Sequence, residues 1–484
     1  MKQAPLAWGR LPAPEQRQLR LTSRYDPLPA GSDRLLAHGL GRSYGDSCLN
    51  SGGLLIGTRG LDRYIAFDRD SGVIEVEAGV SLGEIIAFAL PKGWFPPALP
   101  GTRFVTVGGA IANDVHGKNH HRAGSFGNHV LDFELLRSDG SMRRCSPTEN
   151  SDWFDATIGG LGLTGLIRRA RVQLKRVAGP WLIGDSQRFG NLREFFAIAA
   201  ESEADWEYTV AWIDCSATGP RLGRGIFIRG NHASAQAAIA ARPPASGSLR
   251  MPFTPPVSAV NGLSLTAFNK LYYHRPAAVA TDALWHYRPF FYPLDSIAEW
   301  NRMYGPRGFY QYQCVVPEAG AEDVLNEMLR RIGESGLGSF LLVLKTFGTV
   351  ASRGMLSFPR PGATLALDFP NRGERTLALL EQLDGLGAVD PLDLDGRGVL
   401  GASEREERLR LAEEALDVRA VERADGDLVA HRGPGSLAAQ FDIQALVGED
   451  ALLLRHNECG AVVEGNKSQP QRRGHGLSPL STPA

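Results

Sequence analysis

Four segments in the first third of the chain hold more glycine than regular structure tolerates, yet each abuts an apolar run. The first is His38-Gly39-Leu40-Gly41-Arg42-Ser43-Tyr44-Gly45-Asp46. The second is Pro100-Gly101-Thr102-Arg103, continued by Thr106-Val107-Gly108-Gly109-Ala110-Ile111-Ala112-Asn113-Asp114-Val115-His116-Gly117-Lys118-Asn119-His120-His121. Ala123–Asn128 and Thr157–Gly165 are the third and fourth. Glycine lets backbone N–H groups approach a pyrophosphate closely and adopt positive φ, so such loops make concave anion sites. Any single glycine pair reads equally well as a turn. Four such segments interleaved with Arg42, Tyr44, His116 and Lys118 read together as a nucleotide site. None has the spacing of a P-loop, or of GxGxxG between a strand and a helix, so the nucleotide belongs to neither of those folds.

The elements that must position these loops are short. Leu54–Ile56, Val73–Val76, Val130–Leu136 and Leu166–Leu174 are β-like runs separated by glycine-rich clusters, an α+β pattern. A helix is predicted over Leu82–Leu90, ended by Pro91. From about Pro180 to Phe369 the chain carries most of its Trp and Tyr, and strands are predicted at Phe309–Val316 and Phe340–Leu344. Ala238–Ser258, rich in Ala, Pro and Ser, reads as a mobile loop within this region. After Phe369 there is no Trp or Tyr, one Phe (Phe441) and one Lys (Lys467). Ser403–Val421 opens with a capping box and reads as a solvated helix; the tail from Gly465 reads as disordered.

Composition sets the outer bounds. The 484 residues, 43% hydrophobic and 22% charged, suit two or three packed domains. Fifty-two basic and 53 acidic residues leave a formal charge of -1, which gives no general attraction to nucleic acid. Five scattered cysteines without a CxxC pair argue against a disulfide framework and against a metal site, and fit a reducing cytosol. The N-terminus lacks a signal-peptide core, and no apolar run approaches the roughly 18 residues a membrane span needs.

The glycine segments, with Glu299-Trp300-Asn301-Arg302, Gln311-Tyr312-Gln313, Ser339-Phe340 and Leu367-Asp368-Phe369-Pro370, resemble the FAD-binding domain of the vanillyl-alcohol-oxidase/PCMH superfamily, and within it the decaprenylphosphoryl-ribose oxidase family. The likeness runs from about Trp8 to Pro370. It implies a two-subdomain PCMH-type FAD-binding domain over residues 1–178 and an α+β substrate domain with an antiparallel sheet over 179–370. FAD contacts are implied from Ala37, His38, Gly39, Leu40, Gly41, Arg42, Ser43, Tyr44, Gly45, Asp46 and Ser47, then Gly101, Thr106, Val107, Gly108, Gly109, Asn113, Asp114, Val115, His116 and Ile167. FAD is expected to be noncovalent: relatives that bond the flavin use a histidine where this chain has Arg42, and His38 is out of register. The substrate side is implied at Tyr44, His116, Lys118, Gln313, Val343, Lys345, Thr364 and Ala366, with His116, Tyr44 and Lys345 as catalytic candidates. Ala366 stands where some members have a cysteine, so thiol-seeking inhibitors should not label this chain.

The implied reaction is oxidation of a secondary alcohol of a sugar, C2 of a polyprenylphosphoryl pentose, by hydride transfer to flavin N5. A separate NADH-dependent ketoreductase would act on the ketone. A lipid-linked substrate implies a cytoplasmic enzyme working at the inner membrane face, although the sequence shows no strongly amphipathic basic helix. Alternatives are an aldonolactone or alditol oxidase, and an inactive sugar- or lipid-binding relic. The family's C-terminal return, with a Lys near the isoalloxazine, has no counterpart in residues 371–464. Those residues are either out-of-frame sequence beginning near Gly385–Gly396 or a genuine divergent ending, followed by the tail 465–484.

Overall fold

The computed structural model describes residues 7–11, 16–29, 31, 34–237 and 249–387. The expected helix at Ser403–Val421 and the tail from Gly465 lie outside the described residues. The fold is α+β. Its first two sheets carry the glycine loops. Arg17–Arg20, Leu54–Gly57 and Leu35–His38 form a three-stranded parallel sheet in that order. Tyr64–Phe67, Val73–Glu77, Leu166–Gln173, Val130–Leu136 and Met142–Cys145 form a five-stranded antiparallel sheet. Leu54 and Ile56 of the first pack against Leu136 and Leu166 of the second, so the two sheets share a seam.

The helix Leu82–Ala89 forms where it is predicted, for a local reason. The Ser81 hydroxyl accepts from the Glu84 N–H at 3.2 Å, and the Glu84 carboxylate accepts from the Ser81 N–H at 2.7 Å. Two otherwise orphaned donors are thereby satisfied at its start. Its apolar stripe of Leu82, Ile85, Ile86 and Ala89 is buried against Ile74 and Val76, each large side chain contributing roughly 1.5–3 kcal/mol of transfer free energy.

The third sheet has seven antiparallel strands, ordered Ala280–His286, Trp181–Phe189, Gly225–His232, Tyr208–Ile213, Leu342–Phe347, Gly362–Pro370 and Phe309–Val316. Strand alternation divides its two faces. Leu342, Leu344, Leu365, Leu367 and Phe369 point under the helices Leu192–Ser202, Ala321–Ser335 and Glu374–Gly387 and are buried with them. The intervening Val343, Lys345, Thr364 and Ala366 point the other way, towards the glycine loops. Glu374–Gly387, not anticipated from sequence, buries Leu379, Leu380 and Leu383 in that helical layer.

Two expectations change here. The strand expected to begin at Phe340 begins at Leu342: the Trp212 indole N–H takes the Phe340 carbonyl at 2.9 Å, and the Phe340 ring packs on Phe268, so this turn stays out of the ladder. Of the loop expected to be mobile, residues 238–248 lie outside the described residues, while the rest is held. Leu249–Arg250 pairs with Ile297–Ala298, and the Arg302 guanidinium donates to the carbonyls of Met251 and Pro252, both at 3.2 Å. A further helix spans Gly262–His274. Among the described residues no helix is long and apolar enough to cross a membrane, and no cluster of His, Cys, Asp and Glu could hold a metal ion.

Candidate active site

A cavity of about 1160 Å³ lies between the glycine loops and the open face of the seven-stranded sheet. This exceeds the roughly 300–1,000 Å³ of ordinary small-molecule sites, and leaves room for a dinucleotide and a second ligand.

The loop wall is made largely of backbone. Ala37, Gly39 through Gly45, Ser47, Gly101, Thr106, Gly108, Gly109, Asn113, Val115, His116 and Ile167 all line it. A Cβ on Gly39 would sit 2.6 Å from the Thr106 Oγ1, which itself caps the next turn by accepting the Gly109 N–H at 3.1 Å. Gly41 has φ 59°, open to glycine and strained for most side chains. A Cβ on Gly101 would meet only open space, so its absence widens the cradle. Arg42 lies 3.9 Å from the Trp8 ring centroid, and its Nε is buried without a hydrogen-bond partner among the described residues. Close-approach backbone beside an unpaired guanidinium N–H is the donor set a pyrophosphate needs, so these residues fit FAD.

Four residues expected to touch FAD lie off this wall. His38 is buried in its strand, and Val107 is buried against Ile111 and Ile85 in the core. Asp46 is not among the cavity-lining residues, and its carbonyl accepts the Leu49 N–H at 2.6 Å. Asp114 accepts from Ser125 Oγ at 2.8 Å, Ser357 Oγ at 2.5 Å and the Gly127 N–H at 2.7 Å, which ties the second loop to the third and to residue 357.

Side chains make the sheet wall. His116 reaches it from the loop: its Nδ1 is 3.0 Å from Lys345 Nζ and its Nε2 is 3.3 Å from Gln313 Nε2. Gln313 also donates to Thr364 Oγ1 at 3.1 Å, and Lys345 donates to the Gly117 carbonyl at 3.2 Å. Burial, then the charge of Lys345, holds His116 well below the usual imidazole range. Burial, then the charge of Lys118, pushes Lys345 down to about 7, while burial pushes Lys118 down to about 8. With the Gln313 amide donating to Nε2, the His116 proton sits on Nδ1 and is given to a neutral Lys345. If the amide turns over, its oxygen takes the Nε2 proton and Lys345 donates instead. The protonation of Lys345 thus selects the tautomer of His116. Neither Lys118 nor Lys345 has a carboxylate partner among the described residues, which leaves an electropositive wall.

Tyr44 lines the cavity with its ring against Trp300 and Phe309, and burial raises its phenol well above the usual range, so it is a donor rather than a base. Val343 and Ala366 are adjacent on the sheet and line the same wall.

Sequence reasoning missed Asp295 and Asp368. Asp295 lines the cavity and accepts from Thr102 Oγ1 at 2.7 Å and the Arg103 N–H at 3.1 Å. Asp368 is buried with its carboxyl pushed up to about 8, close enough to raise Tyr44 and Tyr304 in turn. Its signal was the alternation Thr364, Ala366, Asp368 on one strand face.

Comparison with known proteins points to the same cofactor. A family model described as an FAD binding domain matches residues 30–146, the span of the first three loops. Decaprenylphosphoryl-beta-D-ribose oxidase of Mycolicibacterium smegmatis is 41% identical over 348 residues, covering 70% of this chain and 75% of that protein. A protein encoded in the mprA 5′ region of Streptomyces coelicolor is 36% identical over 315 residues, 63% of this chain and 85% of that one. Cytokinin dehydrogenase 8 of Oryza sativa subsp. indica is 30% identical over 183 residues, 36% of this chain and 34% of that protein. The chain therefore belongs to the decaprenylphosphoryl-beta-D-ribose oxidase family, and is an FAD-dependent oxidoreductase acting on CH–OH groups.

Proposed function

We propose that the enzyme oxidises C2 of a polyprenylphosphoryl pentose, with FAD held noncovalently and the two N-terminal sheets acting as the two subdomains of its FAD domain. The observation that carries the substrate reading is the lysine pair Lys118 and Lys345 on the cavity wall, with no carboxylate partner among the described residues: an anion in the cavity would relieve their burial. A phosphate-bearing sugar supplies one. The name of the M. smegmatis relative describes such a substrate.

When bound, FAD supplies at flavin N5 the acceptor for the carbinol hydrogen and its electron pair. In this reading Lys118 meets the phosphate as a point charge. His116 takes the hydroxyl proton at Nε2 and passes its Nδ1 proton to neutral Lys345, so the imidazole stays neutral but ends as the other tautomer, with the Gln313 amide turned so that its oxygen accepts the new Nε2 proton and Lys345, now charged, donates to Nδ1. Tyr44 stays protonated and orients the hydroxyl. Gln313 and Thr364 hold the imidazole ring. A separate NADH-dependent ketoreductase would consume the ketone, and the free Cys145, Cys215 and Cys314 suit the cytosolic side. Arg42 in place of an anchoring histidine, and His38 turned away into its strand, support noncovalent attachment.

The test is anaerobic mixing of the purified enzyme with a polyprenylphosphoryl pentose, a free aldonolactone and an alditol in turn. Bleaching of the flavin band by the first alone is expected. Bleaching by the lactone or alditol instead would assign the reaction to soluble sugars, and no bleaching by any would leave a binding relic. Acid precipitation should release the whole flavin into the supernatant.

A further inference from the structure

The largest apolar side chains left in water are not scattered. Of the twelve large hydrophobic residues exposed among the described residues, eight fall between Leu249 and Leu284. Leu263 is 87% exposed, Leu249 75%, Leu271 74%, Val257 70% and Phe253 62%. A soluble surface leaves single apolar residues exposed without consequence, whereas a cluster marks an interaction surface.

These residues share one support. In the helix Gly262–His274, Leu263, Ala267 and Leu271 recur at intervals of four and lie on one face, with Lys270 and His274 alongside. The opposite face buries Leu265 against Trp300 and Tyr304. The arm carrying Phe253 and Val257 is fastened to the same turn: Arg302 holds its carbonyls, and Arg10 donates to Thr254 Oγ1 at 2.9 Å. Trp300, and Tyr272 and Arg275 at the end of the helix, line the cavity, so the apolar surface adjoins its mouth.

Charge identifies the occupant. From residue 215 to 281 the chain has seven Lys and Arg and no Asp or Glu, in a molecule whose acids and bases otherwise balance. Lys270 and Arg275 have no carboxylate partner among the described residues. Arg224, Arg229 and Arg250 of this stretch pair with Asp214, Asp185 and Glu299 from outside it, which leaves Lys270 and Arg275 as the cations set beside the exposed Leu263 and Leu271 without a carboxylate partner, an arrangement that matches the interfacial zone of an anionic bilayer. An apolar protein partner would call for no unpaired lysine beside the exposed leucines.

We infer that the face formed by Phe253, Val257, Leu263 and Leu271, flanked by Lys270, docks on an anionic lipid bilayer and seats the cavity mouth at its surface. This goes beyond the substrate reading and is tested without substrate. The purified holoenzyme is floated with vesicles of phosphatidylcholine, and with vesicles of phosphatidylcholine mixed with phosphatidylglycerol, at low and high salt. Binding is expected to the mixed vesicles and to weaken with salt. The double variant Leu263→Ser/Leu271→Ser, with flavin content and melting temperature unchanged, should lower the partition coefficient on the order of a hundredfold. Lys270→Glu should lower it roughly fivefold or more.

Absence of flotation by the wild type, or flotation of the double variant equal to it, overturns the inference. So does a wild-type dimer that the double variant makes monomeric without any vesicle binding, since the face would then belong to a second copy. Because the vesicles hold no pentose, failure of the enzyme to oxidise a polyprenylphosphoryl pentose leaves this result standing, and the reverse holds too.

Discussion

The loop wall and the sheet wall of the cavity put different kinds of atoms against the same space. Along residues 39–47 and 101–109 the contact surface is largely backbone, joined by the side chains of Arg42 and Tyr44, and at Gly39 its requirement is the absence of a side chain: a Cβ there would displace the Oγ1 that caps the following turn. Across the cavity, Gln313, Lys345 and Thr364 meet His116 through side-chain atoms on a rigid antiparallel ladder. A surface of backbone amides suits a cofactor that every turnover shares. A surface of alternating side chains can be changed one residue at a time without moving its neighbours, so substrate and proton chemistry belong there.

Four outcomes would sharpen or break this division. Lys345→Met should leave flavin content intact and lower turnover by about 10²–10⁴-fold, the usual worth of a positioned acid or base. Equal loss of bound flavin would erase the distinction between the walls. One residue earlier on the same strand, Leu344→Ala should lower unfolding free energy by roughly 2–5 kcal/mol, because Leu344 is fully buried under the helices. Turnover per folded, flavin-loaded molecule should hold in that variant, and a large fall would mean that the two sheet faces are not independent.

On the loop wall, Gly39→Val should weaken FAD binding by about ten- to a hundredfold, through loss of the Thr106 cap worth roughly 1 kcal/mol and the shift of the loop. Titration of apoprotein with FAD reads this directly, while KM for the sugar in the loaded fraction should change little.

The smallest effect expected is in pH. Turnover should rise as pH passes about 7, where Lys345 becomes neutral and can take the His116 proton. Apoprotein stability has opposing slopes. Asp368, raised from 3.8 to about 8, binds a proton in the folded state that it lacks when unfolded, so its contribution is lost as pH rises from about 4 to 8. Lys345 and Lys118, lowered from 10.5 to about 7 and 8, bind fewer protons folded than unfolded, so their contribution grows as pH rises towards 10.5. For these three groups the minimum lies near pH 7–8. Urea titrations across this range, compared with the Lys345→Met protein, would show whether the upward limb belongs to the sheet wall.

The loop wall was legible because glycine density reports backbone shape directly, and because specific strings such as Gly39-Leu40-Gly41-Arg42-Ser43-Tyr44 carry a family likeness. The capped helix Leu82–Ala89 was legible from Pro91 and its apolar spacing. The sheet wall was legible only where the likeness named residues. In Phe340-Leu341-Leu342-Val343-Leu344 every residue is apolar, so alternation gives neither the start of the strand nor the face of Lys345; the Trp212 indole N–H sets the start. Asp368 is a lone acid in an apolar run; alternation puts it on one face with Thr364 and Ala366, and the ladder shows that this face looks towards Tyr44. The helix Glu374–Gly387 lies across a change in composition near Phe369 that tracks the loss of aromatic residues rather than the edge of the packed core.

The order of the seven strands has a consequence for synthesis. Tyr208–Ile213 finds one of its neighbours only when Leu342–Phe347 has been made, and Phe309 donates its backbone N–H to Gly9, near the start of the chain. At ordinary translation speeds of about 5–20 residues per second, the glycine loops leave the ribosome on the order of 10–40 s before the strand that completes the opposite wall. During that interval a nascent chain presents the loop wall without the sheet wall, so flavin taken up at that stage would stay open to water until the seven-stranded sheet is complete.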